Sequence, residues 1–545
     1  MRRLLTLACL ILAVPVAGVL ASWLAFDAES LQTLRHQWNT VLPAYAGNSL
    51  LLAVLVGAGV AVVGGGAAAL VTLFDFPLRR SFEWALLLPL AMPAYVLAYA
   101  ATDFLQFSGP LQTALRSLTG AQGALWPDVR SLWGAALLFI VCLYPYVYLL
   151  TRAALGERGV QLMEAARLLG AGARRRVIEV ALPMARPAIA AGVALALMET
   201  LADYGVGAYF GLQTFTTGIY KAWLSQNDRT AAAQLASMLL LVVAVVLWAE
   251  RRAQRRLRFA GTRHVAAHAA HAGEARPMRL RGRYAALAIG LCALPVALGF
   301  VLPVLALLRL LWIEAQAGAV GLPLARFAQW GWTSFKLAAI AALLATAVAL
   351  LLAFALRMRA SRPLAWAARL VSLGYAVPGA VIVVGILLPV GWLQQRHPQL
   401  GLGALVTGTV FGLLYAYLVR FSSVALQSVE AGYARVPAAI DDTARLLGAP
   451  PWRIFVELHL PLLQRASLAA MLLVFVDVMK ELPATLVLRP FDSDTLAVVA
   501  YNLARDERLG EAALPSLAIV LVGLLPVVLL SRSLRVAPRA ATVPA

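Results

Sequence analysis

Charge is scarce in this chain and acid scarcer still: of 545 residues 13% are charged, with 26 Asp and Glu against 46 Lys and Arg. Soluble domains carry about a quarter charged residues, so a water-exposed surface over most of the chain is excluded. Lysine is confined to Lys221, Lys336 and Lys480. None follows a GxxxxGK loop ending in Ser or Thr, which excludes a Walker nucleotide site on this polypeptide. Cysteine is limited to Cys9, Cys142 and Cys292, each inside an apolar run and without metal-ligand spacing. They read as small buried hydrophobes, against a disulfide framework or redox chemistry. No nucleophile–base pair or ligand cluster marks an enzyme.

What fills the chain is apolar: 62% of residues are hydrophobic and the mean hydropathy is +0.81. About 17 to 25 such residues cross a hydrocarbon core of roughly 30 Å as a helix. Twelve such segments are predicted, centred on 4–24, 46–72, 82–106, 131–150, 188–210, 232–249, 284–312, 333–356, 365–391, 403–419, 466–488 and 512–530. The chain therefore reads as an all-α polytopic membrane protein. A formal charge of +20 would suit a nucleic-acid binder, but the arginines fall between apolar segments rather than on one basic domain. They read as topology in a membrane whose lipid is the partner, and no nucleic acid is expected.

With both termini placed in the cytoplasm, the connections on that side hold most of the Lys and Arg, as the positive-inside rule requires. The apolar run after Arg2 and Arg3 has the form of a secretory signal. A consistent orientation favours a retained first helix. The densest basic cluster opens the segment 251–283 with Arg251, Arg252, Arg255, Arg256 and Arg258. That linker separates units at 1–250 and 284–531, each with six predicted spans, and a tail follows at 532–545. Its His264, His268 and His271 lie at helical spacing but read as solvated rather than metal-binding, and no stable metal site is expected elsewhere.

Arg-Leu-Leu-Gly-Ala occurs at 167–171 and again at 445–449, an offset of 278. At that offset Leu182-Pro183 falls on Leu460-Pro461, Glu199 on Asp477 and Asp203 on Glu481. Upstream, Asn48-Ser49-Leu50 and Pro93 fall on Thr333-Ser334-Phe335 and Pro378 at an offset of 285. Two units of the same topology imply a parallel repeat about an axis along the membrane normal, with a pathway at their junction.

Glu164-Ala165-Ala166-Arg167-Leu168-Leu169-Gly170, followed after nine residues by Val180-Ala181-Leu182-Pro183, resembles the EAA loop of ATP-binding-cassette (ABC) importer permeases. A helix of good helix formers should end at Gly170 in a left-handed turn, with a second helix running towards Pro183. The second copy, Asp442-Thr443-Ala444-Arg445-Leu446-Leu447-Gly448 and then Leu458-His459-Leu460-Pro461, departs from the pattern at its first two positions. The resemblance implies two tandem six-helix ABC importer permease units of the MetI-like type I class. Their docking loops, at about 152–187 and 420–465, would each engage one of two cytoplasmic ABC ATPase subunits. ATP and magnesium would be used by those subunits, with no cofactor bound by this chain. The docking residues implied are Glu164, Ala165, Ala166, Arg167, Gly170, Leu182 and Pro183, and Asp442, Ala444, Arg445, Gly448, Leu460 and Pro461.

Within that superfamily the stretches 197–205, 209–220 and 479–491 resemble the ferric-iron type of permease. This implies inner-membrane import of iron delivered by a periplasmic substrate-binding protein. Thiamine, phosphonate, sulfate and polyamine are alternative cargoes on the same fold, and an ion-gradient-driven secondary transporter is the alternative of another class. Glu199 and Asp203 are spaced to share a helical face, as are Asp477 and Glu481. The four acids would line an oxygen-rich path suited to a hard cation, with Lys480 balancing their charge. Tyr95, Tyr99, Tyr144, Tyr146 and Tyr148 read as packing or interfacial aromatics rather than metal ligands.

Overall fold

The structure, a computed structural model, describes residues 2–25, 27–255, 278–317, 323–359 and 361–535. His264, His268 and His271 and residues 536–545 lie outside the described residues. Among the described residues ten helices are long and apolar enough to cross a membrane. Two further pairs, Arg79–Ala91 with Ala94–Thr119 and Pro451–Leu462 with Gln464–Met479, are bent at a short break by 94° and 74°. Counting each bent pair as one span gives twelve.

Two helix trios form the centre. Leu42–Leu73 packs against Leu132–Leu168 and Leu182–Ala202, and Leu324–Arg359 packs against Val410–Tyr433 and Gln464–Met479. Glycine lets the first trio approach closely. A Cβ on Gly64 would lie 2.5 Å from the Tyr144 carbonyl oxygen, and one on Gly192 would lie 2.5 Å from the Val147 Cα. Such small-residue contacts are what bring helices together where lipid is as apolar as the side chains. In the second trio alanine serves, with Ala338, Ala341, Ala342, Ala345 and Ala349 all buried.

The chain then interlocks across the middle. Arg2–Ala21 packs on Gly379–Arg396, far along the sequence, where Gly385 and Gly18 admit the opposing backbones. Conversely, Leu302–Ala317 packs against Ala94–Leu105 and Leu509–Arg535. The three cysteines are free and buried.

Five predicted spans differ from the structure. In 82–106 and 365–391 the helix breaks at Pro93 and Pro378, each of which caps the next helix with extended backbone. Proline lacks the N–H and disfavours helix in the residue before it. The segment 188–210 stops being helical at Ala202, and 466–488 at Met479. The span predicted at 403–419 is Val410–Tyr433, which begins where Thr409 caps the Phe411 N–H.

The related positions repeat their contacts. Ser49 Oγ accepts the Phe215 N–H at 3.1 Å, and Ser334 Oγ accepts the Leu496 N–H at 2.8 Å. Thr214 and Thr495 each cap the helix that follows.

Candidate functional site

Where the helices stop, their free backbone groups create the site. The first N–H groups of any helix lack intrahelical partners and attract carboxylates. The Val206 N–H donates to Asp203 Oδ2 at 2.8 Å. The Ala484 and Thr485 N–H groups donate to Glu481 at 2.9 and 3.0 Å. Asp203 and Glu481 therefore lie beyond the ends of the helices that carry Glu199 and Asp477. The expected continuous i, i+4 faces do not exist. All four acids nevertheless line one cavity of about 110 Å³, because both chain breaks open onto it.

Two cations join them. Lys480 Nζ lies 2.9 Å from Asp477 Oδ1. Arg420, buried, reaches Glu481 at 3.6 Å and Glu199 at 3.9 Å. Placing a charge at membrane depth costs about 3 kcal/mol on insertion scales, so opposite charges in one cavity offset each other. Tyr95 and Tyr146 line the cavity with Tyr375, whereas Tyr99, Tyr144 and Tyr148 are packed in the core. Among the described residues no group of three or more His, Cys, Asp or Glu side chains could hold a metal ion.

Arg420 is the residue that sequence reasoning misses: it is the first residue of the docking loop expected at about 420–465, yet it sits inside the Val410–Tyr433 helix. The available signal is the repeat, because the offset of 278 sets it against Cys142 inside a predicted span.

On the other side of this cavity a larger one of about 530 Å³ runs past Leu149, Gln427 and Leu473 to Glu250 and Arg251.

In the first loop, Leu132–Leu168 runs unbroken from the span into the motif and ends at Gly170, whose φ is +82°. The Ala171 and Gly170 N–H groups return to the Ala166 and Arg167 carbonyls, the paired bonds of a glycine-terminated helix. In the second loop a separate helix, Ala438–Leu446, ends the same way at Gly448, φ +76°. Glu164 pairs with Arg167 at 3.4 Å and Asp442 with Arg445 at 3.3 Å, so the acid survives the departure from the pattern. Ala165 is exposed and Ala166 buried, and Ala444 is half-buried.

Both tips expose a leucine pair that the motif reading passed over, Leu168–Leu169 and Leu446–Leu447, each residue more than 80% accessible. Pro183 does not end the second helix. A π-helical turn, Arg176–Ala181, carries the chain straight into Leu182–Ala202. The wider turn supplies the Leu182 N–H with a partner five residues back, Val177. At Leu460-Pro461 the corresponding turn instead precedes the 74° bend.

The second loop is anchored by a buried polar network. Arg357 pairs with Asp441, His459 Nε2 lies 2.8 Å from Asp441 Oδ1, and Tyr433 Oη lies 2.9 Å from His459 Nδ1. Burial opposes ionisation of Asp441, but hydrogen bonds from Arg357 and His459 and their charges outweigh it, holding the carboxyl below its ordinary value.

Residues 61–259 match the family described as "Binding-protein-dependent transport system inner membrane component". Over 492 residues, 89% of each chain, this protein is 26% identical to the Fe(3+)-transport system permease protein FbpB 2 of Haemophilus influenzae. It is 29% identical over 180 residues to the putative 2-aminoethylphosphonate transport system permease protein PhnV of Salmonella typhimurium, covering 33% of this chain and 64% of that one. To the corresponding PhnU of Salmonella choleraesuis it is 26% identical over 212 residues, 38% of this chain and 73% of the other.

Proposed function

We propose that this chain is the permease of an ABC importer and that it moves iron(III) from a periplasmic binding protein into the cytoplasm; the match of residues 61–259 to the binding-protein-dependent transport inner-membrane components supports the class. The observation that carries the cargo is the cavity lined by Glu199, Asp203, Asp477 and Glu481 with Tyr95, Tyr146 and Tyr375. Carboxylate and phenol oxygens suit a hard cation. Similarity along 89% of the chain to a permease named for Fe(3+) transport supports the same reading.

The chain acts as the non-enzymatic membrane subunit, folded as two units at 1–250 and 284–531 with both termini in the cytoplasm. The exposed leucine tips at Leu168–Leu169 and Leu446–Leu447, framed by Glu164, Arg167 and Gly170 and by Asp442, Arg445 and Gly448, each dock one ATPase subunit. Those two subunits use ATP and magnesium. Two docking tips on one chain favour this reading over a gradient-driven carrier.

The test is radiolabelled iron uptake in cells lacking the gene and then regaining it, with the binding protein and ATPase present. Iron-specific loss and rescue are expected. Glu199→Gln with Glu481→Gln should lower the rescued rate at least about tenfold. Normal uptake by that double variant would remove the acids from the path. A phosphonate cargo is the second reading, favoured by the two cations Arg420 and Lys480 in the cavity and by the similarity to aminophosphonate permeases. Unchanged iron uptake on deletion, with phosphonate uptake lost, would select it.

A further inference from the structure

The two cavities share five lining residues, Leu90, Tyr146, Tyr375, Asp477 and Lys480. They form the partition where the two cavities adjoin. Only Asp477 and Lys480 among the five are charged, and they are bound to each other at 2.9 Å with side chains 16% and 29% exposed.

Lys480 caps the C-terminal end of Gln464–Met479, where the chain leaves the helix for Glu481 and Leu482. Its side chain is therefore anchored on the rim of the break rather than along a packed helix face. At the repeat offset it stands against Ala202, which also lines the smaller cavity. One half supplies the ammonium, and the other supplies only a methyl group.

We propose that Lys480 is a selectivity residue for this route. Its ammonium, held on Asp477, closes the partition between the two cavities, and a cation proceeds only by taking Asp477 from Lys480. The inference rests on the reading of the smaller cavity as the route of a cationic cargo.

The physical basis is competition. The ammonium is tethered to the same helix end as its carboxylate, three residues away, so its effective concentration at Asp477 is high. A free monovalent cation brings no more charge than the ammonium already there and does not displace it. Coulomb attraction rises in proportion to charge at a given distance, so a divalent cation of similar size displaces it slowly and a trivalent one readily. Glu199, Tyr146 and Tyr375, on the walls beside the pair, supply further oxygen atoms to the incoming ion.

The experiment uses the purified full-length chain in liposomes containing a Mn²⁺-quenched dye, with external Mn²⁺ as the probe. The wild type and Lys480→Arg should admit Mn²⁺ slowly. Lys480→Gln, which cannot hold the carboxylate by charge, should admit it at least tenfold faster. The exchanged pair Lys480→Asp with Asp477→Lys should return the rate to within about twofold of the wild type. Each variant must elute as a single species at the wild-type position, and if Lys480→Gln does not, Lys480→Met carries the same expectation.

Equal Mn²⁺ entry in the wild type and the neutral variant overturns the proposal. So does an exchanged pair as leaky as Lys480→Gln, since the proposal requires only that an ion pair close the partition, whichever of the two positions carries the cation. Iron uptake in cells is a separate measurement. Its independence of this gene, with the Mn²⁺ pattern intact, would remove iron as cargo and leave Lys480 as the selectivity residue for another cation.

Discussion

The two halves of the chain bring the same acids to the cavity but not the same bases. Glu199 has its counterpart in Asp477 and Asp203 in Glu481, whereas Arg420 stands against Cys142 and Lys480 against Ala202. The motif loops differ in the same direction. The buried network Arg357, Tyr433, Asp441 and His459 under the second loop has Thr72, Leu155, Met163 and Ala181 at the corresponding positions under the first. Of these four, Leu155, Met163 and Ala181 form a small apolar cluster with Leu73 and Ala185. The repeat thus keeps the four acids and the two glycine turns, while the bases of the cavity and the packing beneath the loops differ between the halves.

The largest effect should come from erasing the difference in the cavity. Arg420→Cys makes the second half resemble the first and leaves half-buried Glu199 and buried Glu481 without that cation. Removing one partner of a buried pair costs about 3 kcal/mol or more, so the melting temperature in detergent and the uptake rate should both fall. Moving the cation across, with Cys142→Arg added, should restore most of the uptake. If it does not, the cavity needs its cation from one side, and the asymmetry is functional rather than incidental.

A smaller effect should separate the two loop anchors. Asp441→Ala strands Arg357 and His459 and should lose about 3 kcal/mol, against about 2 kcal/mol for Met163→Ala, which only empties apolar volume. The two values follow from the thermal unfolding of each variant. Copying the first loop into the second, by Arg357→Thr, Asp441→Met and His459→Ala together, should recover part of the difference. Replacing a buried polar network as a whole removes the stranded charges.

The smallest effect should be the same in both halves. Gly170 and Gly448 have left-handed backbones with nothing within 4 Å of an added Cβ. Alanine at either meets only the backbone strain, about 1 to 2 kcal/mol. ATPase stimulation by permease carrying Gly170→Ala should match that by permease carrying Gly448→Ala. Unequal values would mean that the tips are loaded differently by their partners.

Much of this was legible in the residues. Long apolar runs fix helices of membrane length because a backbone in lipid has no other way to satisfy its polar groups. The glycine turns at Gly170 and Gly448 were readable because each glycine follows a run of good helix formers. Less legible were the breaks. Hydropathy averages over a window, so it carried the predicted spans through Pro93, Asp203, Pro378 and Lys480, where the helices in fact stop. The four acids line one cavity, but for a reason the i, i+4 spacing does not contain. Asp203 and Glu481 reach the cavity as caps of the short helices that follow.

The sequence by itself determined the membrane class, the repeat and the motif loops, because each is a local pattern of polarity or turn chemistry. Tertiary structure alone decided that Arg420 lies inside the cavity beside Glu199, 221 residues away in the chain, that one lysine sits between two cavities, and that the first helix packs against the second half. These depend on which distant helices meet. That is set by close approach at small residues and by the pairing of charges removed from water, neither of which any single window of sequence contains.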